Sequence, residues 1–164
     1  MLPSWAVVTP ERRAHIERVA ALMDEWAAGM AVPPAERARW QRAAWLHDAL
    51  RDAPAAGELD HGPCCADRLA REGERDQGVL DAVRYHSLGY AGWEAVGRML
   101  YLADHLEPGR MHDREGRAAL RARMPAERDA VLKEVARRRM EWIRQSGWPL
   151  ASETTAFWNA LVSV

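Results

Sequence analysis

Apolar residues along this chain recur at three- and four-residue steps and nowhere alternate in the period-two manner of a half-buried strand, so helices are predicted throughout. Thr9-Pro10-Glu11 supplies a cap and a first-turn proline. Ile16, Val19, Ala20, Met23 and Trp26 or Ala27 then form one stripe, which predicts a first helix from Pro10 to about Ala28, before Gly29. Pro33-Pro34-Ala35-Glu36 opens a second through Trp40, Ala44 and Leu46 to about Leu50, ahead of Pro54 and Gly57. Asp60 is placed to cap a third helix from about Pro63 to Arg71, and a fourth runs from about Asp76 to His86, ending at Gly89. A fifth, from Trp93 to His105, stops at Glu107-Pro108-Gly109. Arg114–Arg123 predicts a short sixth, and Pro125–Gln145 a long seventh with Val131, Val135, Met140 and Trp142 inward. A last helix follows Ser152 or Thr154. The expected fold is all-α, with seven or eight helices in one domain over residues 1–164: a core at about 9–124 and C-terminal helices at about 125–162.

Composition narrows the function classes. A length of 164 residues suits a single domain. Lys and Arg together number 23 against 24 for Asp and Glu, a net charge of -1, whereas a general nucleic-acid binder carries a basic excess. Nucleic acid is therefore not the expected partner. The run Arg137-Arg138-Arg139 is flanked by Glu134 and Glu141, as on a solvated helix face. Cys64 and Cys65 are sequence neighbours, which rarely bridge each other, so no disulfide framework is expected, and both should lie on a helix with one inward. Absence of an 18-residue apolar run predicts no membrane span, and Met1–Trp5 lacks the basic and apolar regions of a secretory leader. The expected location is the cytoplasm. Of the eight tryptophans, Trp26, Trp40, Trp45 and Trp142 sit at core-like helical positions. Packing is therefore the expected role of these indoles over stacking on a base, and Trp148 is the least committed of them.

Candidate chemistry gathers at the predicted ends and bends of helices: His15, the doublet His47-Asp48, His61, His86 and Asp104. Their uneven separations are unlike the close ligand pairs of zinc fingers, but they suit a site assembled from five separate helices. His47-Asp48 ends the apolar run Ala43-Ala44-Trp45-Leu46, and Asp104 ends Met99-Leu100-Tyr101-Leu102-Ala103. Burying an unpaired carboxylate costs several kcal/mol, and a bound cation is one of few ways to offset that.

The pattern His15, His47-Asp48, Asp104 resembles the H…HD…D signature of the HD-domain metal-dependent phosphohydrolases. More narrowly, the chain is similar to the YqeK family of bacterial HD proteins, which hydrolyse diadenosine tetraphosphate symmetrically to two ADP. The blocks that carry the likeness are Arg12-Arg13-Ala14-His15, Trp45-Leu46-His47-Asp48-Ala49-Leu50-Arg51, His61-Gly62-Pro63, Val83-Arg84-Tyr85-His86-Ser87-Leu88-Gly89, and Leu100 to Arg110. They occur in family order.

The resemblance implies that His15, His47, Asp48 and Asp104 bind a divalent metal, commonly iron in this family. Mn²⁺, Co²⁺ or Zn²⁺ suit the same donors, with one or two ions per chain. It places His61 and His86 either against the nucleotide's phosphates or on a second metal, and Arg12, Arg51 and Arg110 around the phosphates, where guanidinium forks meet phosphate oxygens. The expected reaction is phosphoanhydride hydrolysis by a metal-bound hydroxide. Asp48 would orient that hydroxide, with His61 or His86 assisting the departing ADP. Gly147 to Thr154 resembles a segment near the nucleotide in the family, from which Ala151 and Glu153 depart, as does Ile16 after the first histidine. His105 and His112 fall outside the matched set and are expected at the surface. Competing readings are an HD nucleotidase or phosphodiesterase with another nucleotide, a diiron HD oxygenase, and a non-catalytic nucleotide-binding module. A homodimer is expected only by analogy with other HD proteins.

Overall fold

The computed structural model describes residues 1–54, 57 and 59–163, and among them it holds eight helices and no strand. They are α1 (Pro10–Gly29), α2 (Pro34–Leu46), α3 (His61–Arg71), α4 (Gln77–Tyr85), α5 (Ala95–Leu106), α6 (Arg114–Ala122), α7 (Arg128–Gln145) and α8 (Ser152–Val162). The all-α expectation holds. None of these helices is long and apolar enough to cross a membrane.

α5 is the axis of the bundle. Val96, Met99, Leu100, Tyr101, Leu102 and Ala103 are all buried, so the helix is covered by neighbours around most of its circumference, with Arg98 exposed near its start and Asp104 buried at its end. It packs against α1, α2, α4, α6 and α7. Trp26 of α1 and Trp40 of α2 are 2% and 1% exposed within the main core; side chains of this kind each contribute roughly 1.5–3 kcal/mol by leaving water. A smaller core under α3 holds Leu46, Cys65, Leu69 and Val83. Cys65 is buried and Cys64 exposed; burial pushes the Cys65 thiol up to about 12, which leaves it an inert packing group.

Local chemistry sets the helix ends. Thr9 Oγ1 accepts from the Arg12 N–H at 3.2 Å at the start of α1, and Asp76 accepts from the Val79 N–H at 3.1 Å at the start of α4. Asp60 occupies the cap of α3 but its side chain makes no cap bond, and the helix begins at His61, with Pro63 inside the first turn. α2 stops at Leu46 and not near Leu50, because the His47 ring takes the Ala44 carbonyl and the chain turns through residues 47–52. α5 starts at Ala95, since Trp93 is held outside it by an indole N–H bond to the Asp81 carbonyl at 3.0 Å. α7 starts at Arg128, with Pro125 in the preceding turn. Trp142, expected inward on α7, is 39% exposed. The core face of α7 is carried by Val131, Leu132, Val135 and Ala136, so Trp142 falls on the side facing a cleft and not the interior.

Candidate metal centre and basic cavity

Six groups converge from five segments. His15 lies in the second turn of α1, His47 and Asp48 follow α2, His61 opens α3, His86 follows α4, and Asp104 sits in the last turn of α5. All six are buried. Three helix C-termini thus meet here, and their partial negative ends favour a cation between them.

His15 Nε2 is 3.1 Å from Asp104 Oδ1, 3.3 Å from His47 Nε2 and 3.7 Å from Asp48 Oδ2. His47 Nε2 is 3.6 Å from the same Asp48 oxygen. The other Asp48 oxygen, Oδ1, is 3.2 Å from His61 Nε2 and 3.3 Å from His86 Nε2, which are themselves 3.0 Å apart. Donors sharing one cation at ~2.1 Å lie about 3.0–3.4 Å from each other, so the spacing fits a shared ion without large movement. Asp48 faces one donor set with each oxygen.

The imidazole protons explain why these rings are poor company without a cation. His47 Nδ1 is 2.8 Å from the Ala44 carbonyl, and His86 Nδ1 is 2.8 Å from the Val83 carbonyl. A carbonyl only accepts, so each Nδ1 carries the proton, satisfies an orphan helix-end carbonyl, and leaves Nε2 as a bare lone pair. His15 Nδ1 donates to Glu107 Oε1 at 3.1 Å. The Nε2 atoms of His15 and His47 therefore face each other at 3.3 Å, which repels unless a proton or a metal sits between them, and His86 Nε2 has the Ser87 hydroxyl at 3.2 Å.

A proton on His15 fills that role at neutral pH. Burial lowers the His15 pKa, but hydrogen bonds to Asp104 and Glu107 raise it to about 9. His86 also rises, its burial outweighed by Asp48. His47, fully buried and beside two other imidazoles, is pushed down to about 4 by burial. For Asp48 burial works upward, but His47, His61 and His86 hold the carboxyl well below its usual range. For Asp104 burial is likewise overcome, here by Arg110 and His15. Both carboxylates are ionised and ready to ligate.

A cavity of about 170 Å³ opens above this floor, lined by Arg12, Arg51, Arg110, Arg117 and Arg139 together with Trp148. Arg12 Nη1 is 2.8 Å from Asp48 Oδ2, Arg110 Nη2 bonds Asp104 Oδ1, and the Arg110 Nε–H donates to the Asp104 carbonyl at 3.0 Å. The Nε atoms of Arg12 and Arg139 are buried with no hydrogen-bond partner among the described residues. Such donors call for an acceptor that enters the cavity.

The three arginines singled out in the sequence, Arg12, Arg51 and Arg110, all reach this cavity. Three further groups did not stand out. Glu107 is 2% exposed and held by Arg18 Nε at 2.5 Å and the Gly109 N–H at 2.6 Å; its only sequence signal was an acid just past an apolar helix, before Pro108. Arg117 donates to the His105 and His112 carbonyls and lines the cavity. Arg139 points inward, so the solvated-face reading of Arg137-Arg138-Arg139 holds for Arg137 and Arg138, which pair with Glu134. It fails for Arg139. His105, expected at the surface, is half-buried in the cavity wall, its Nδ1 donating to the Tyr101 carbonyl at 3.0 Å; burial pushes its pKa down to about 3. His112 is exposed as expected.

The HD domain model matches residues 12–133. A protein named symmetrical bis(5'-nucleosyl)-tetraphosphatase from Bacillus subtilis (strain 168) is 31% identical over 107 residues, 65% of this chain and 56% of that protein. The protein of the same name from Halalkalibacterium halodurans is 26% identical over 106 residues, again covering 56% of its length. The chain thus spans little more than half the length of these relatives. In three dimensions the chain is similar to a solved structure described as a predicted HD superfamily hydrolase involved in NAD metabolism from Clostridium acetobutylicum, with TM-score 0.81 and 21% identity over 95% of this chain and 91% of that one. That likeness speaks for the fold.

Proposed function

Because this chain belongs to the HD domain family, we propose that it is a metal-dependent phosphohydrolase that cleaves diadenosine tetraphosphate at its central phosphoanhydride to give two ADP. The observation that carries the reading is a floor of six buried imidazole and carboxylate groups, five of them spaced so that they could hold a metal ion, under a ring of five arginines. Two curated relatives carry the name of this activity.

His15, His47, Asp48 and Asp104 are the residues we assign to the cation, with iron first and manganese, cobalt or zinc compatible with the same donors. When bound, such an ion acidifies a water and neutralises phosphoryl oxygen charge. Asp48 Oδ1, turned away from the His15 side, orients the attacking water in line with the scissile bond. Water oxygen bonds to one central phosphorus as the bridging oxygen departs with the other ADP. His61 or His86, each with Nε2 beside Asp48 Oδ1, gives the leaving oxygen a proton. Arg12, Arg51 and Arg110 hold the phosphates, and their combined charge favours a polyanion over an uncharged substrate. Asp48, His61 and His86 also form a second donor set, which supports two ions per chain as the other arrangement.

Purified protein reconstituted anaerobically with Fe²⁺, Mn²⁺ or Co²⁺ should convert diadenosine tetraphosphate to ADP as the sole nucleotide product. His47→Ala should lose bound metal and turnover together. ATP plus AMP as products, or cleavage only of some other nucleotide, would overturn the assignment.

A further inference from the structure

A second cavity, of about 290 Å³, adjoins the first and shares His105, Arg117 and Arg139 with it. Its character is different. Where the first is ringed by charge, the second sets an apolar wall of Leu120, Val135 and the Trp142 indole against a polar side that includes Asp113 and Arg138. No phosphate chemistry needs such a wall.

The tryptophans sort themselves around this feature. Trp26, Trp40 and Trp93 are core residues, and Trp45 and Trp158 pack onto the core. Trp142 and Trp148 are instead 39% and 43% exposed. Trp148 lines the first cavity and Trp142 the second, their rings 5.6 Å apart at 66°. The Arg139 guanidinium lies 4.9 Å from the Trp142 ring centroid, while its Nε is buried without an acceptor. A large aromatic left open beside a cation with an unused donor is a surface for a flat π-system attached to an anion. Nucleobases on a phosphate chain have that chemistry.

We propose that the second cavity is the subsite for one nucleoside of a dinucleoside polyphosphate, with its base stacked on Trp142 and its proximal phosphate crossing between the cavities at Arg117 and Arg139. This rests on the phosphohydrolase reading above and makes Trp142 a specificity-determining residue for substrates that carry a second base.

Trp142→Ala should raise KM for diadenosine tetraphosphate about 10-fold, the size expected for one lost base–aromatic stack, with kcat within about twofold. Trp142→Phe, which keeps a ring, should restore most of the loss. Inorganic tetraphosphate, which has no base, should inhibit wild type and Trp142→Ala with the same constant. An unchanged KM in Trp142→Ala overturns the subsite while leaving the hydrolase reading intact. Parallel weakening of inorganic tetraphosphate also overturns it, since Trp142 would then act by supporting Arg139. If wild type cleaves no dinucleoside polyphosphate at all, the underlying reading has failed instead.

Discussion

Replacing Glu107 by Gln tests how the centre is held without touching any group assigned to the cation. Glu107 is buried, with Oε1 accepting from His15 Nδ1 at 3.1 Å and Oε2 from Arg18 Nε at 2.5 Å and the Gly109 N–H at 2.6 Å. A glutamine of the same shape keeps most bonds by leaving its carbonyl on the Arg18 and Gly109 side. Its amide N–H₂ then faces His15 Nδ1, a donor against a donor. His15 relieves the conflict by moving its proton to Nε2, the atom that faces His47 and Asp104, and so loses its ligand lone pair. Loss of such an outer carboxylate partner typically weakens metal binding 10- to 100-fold, about 1.4–2.7 kcal/mol.

The pH dependence sharpens the test. In the cation-free wild type, burial depresses His15 but Asp104 and Glu107 hold it up to about 9, so near pH 7 an incoming ion must displace that proton. Wild-type affinity therefore climbs as pH rises towards 9. The variant keeps only the Asp104 contribution, its His15 is less basic, and its affinity climbs less. Calorimetric titration with Mn²⁺ at pH 7 and pH 9 should show a deficit that widens with pH and reaches the 10- to 100-fold range at pH 9. Circular dichroism would confirm that the fold is kept. Equal affinities at pH 9 would refute the argument that Glu107 sets the His15 tautomer.

Two stability predictions rest on the helices that carry the site. A Cβ on Gly62 would lie 2.7 Å from the Arg84 carbonyl and 3.0 Å from that of Val83. These are backbone atoms that cannot swing away, so Gly62→Ala should cost about 1–3 kcal/mol in urea unfolding as α3 and α4 separate; a neutral effect would show that the helices have slack. Asp76 caps α4 and takes two bonds from Arg39, at 2.7 and 2.8 Å. Asp76→Asn keeps the cap and should cost about 1 kcal/mol after solvent screening of this partly exposed pair, while Asp76→Ala should cost about 2. Arg39 holds the Asp76 carboxyl below its ordinary value near 3.8. A depressed carboxylate stabilises above its unfolded pKa and loses that contribution as pH falls through the folded one. The gap between wild type and Asp76→Asn should therefore be full at pH 7 and close in strong acid; a gap that persists there would assign it to packing.

Where the sequence alone sufficed, the cause was local. The 3.6-residue stripe of Ile16, Val19, Met23 and Trp26, the Thr9-Pro10 start and the Asp76 cap follow from neighbours in the chain, and α1 and α4 formed nearly as predicted. Residue type and order also placed His15, His47, Asp48, His61, His86 and Asp104 in one candidate set. Other features depended on atoms far away in the chain. Glu107 acts on a histidine 92 positions earlier. Arg139 differs from Arg137 and Arg138 only in which side of α7 faces the cavity. Trp142 has the spacing of a core residue, yet the core face of its helix was already filled by Val131 and Val135. The end of α2 was decided by a histidine ring reaching its own carbonyl, a competition that propensity does not register. The helices and their ligand types are thus written in short-range pattern. The pairing of Nε2 lone pairs, the tautomers behind them and the two adjoining cavities exist only because five helix segments bring their polar groups into one buried volume.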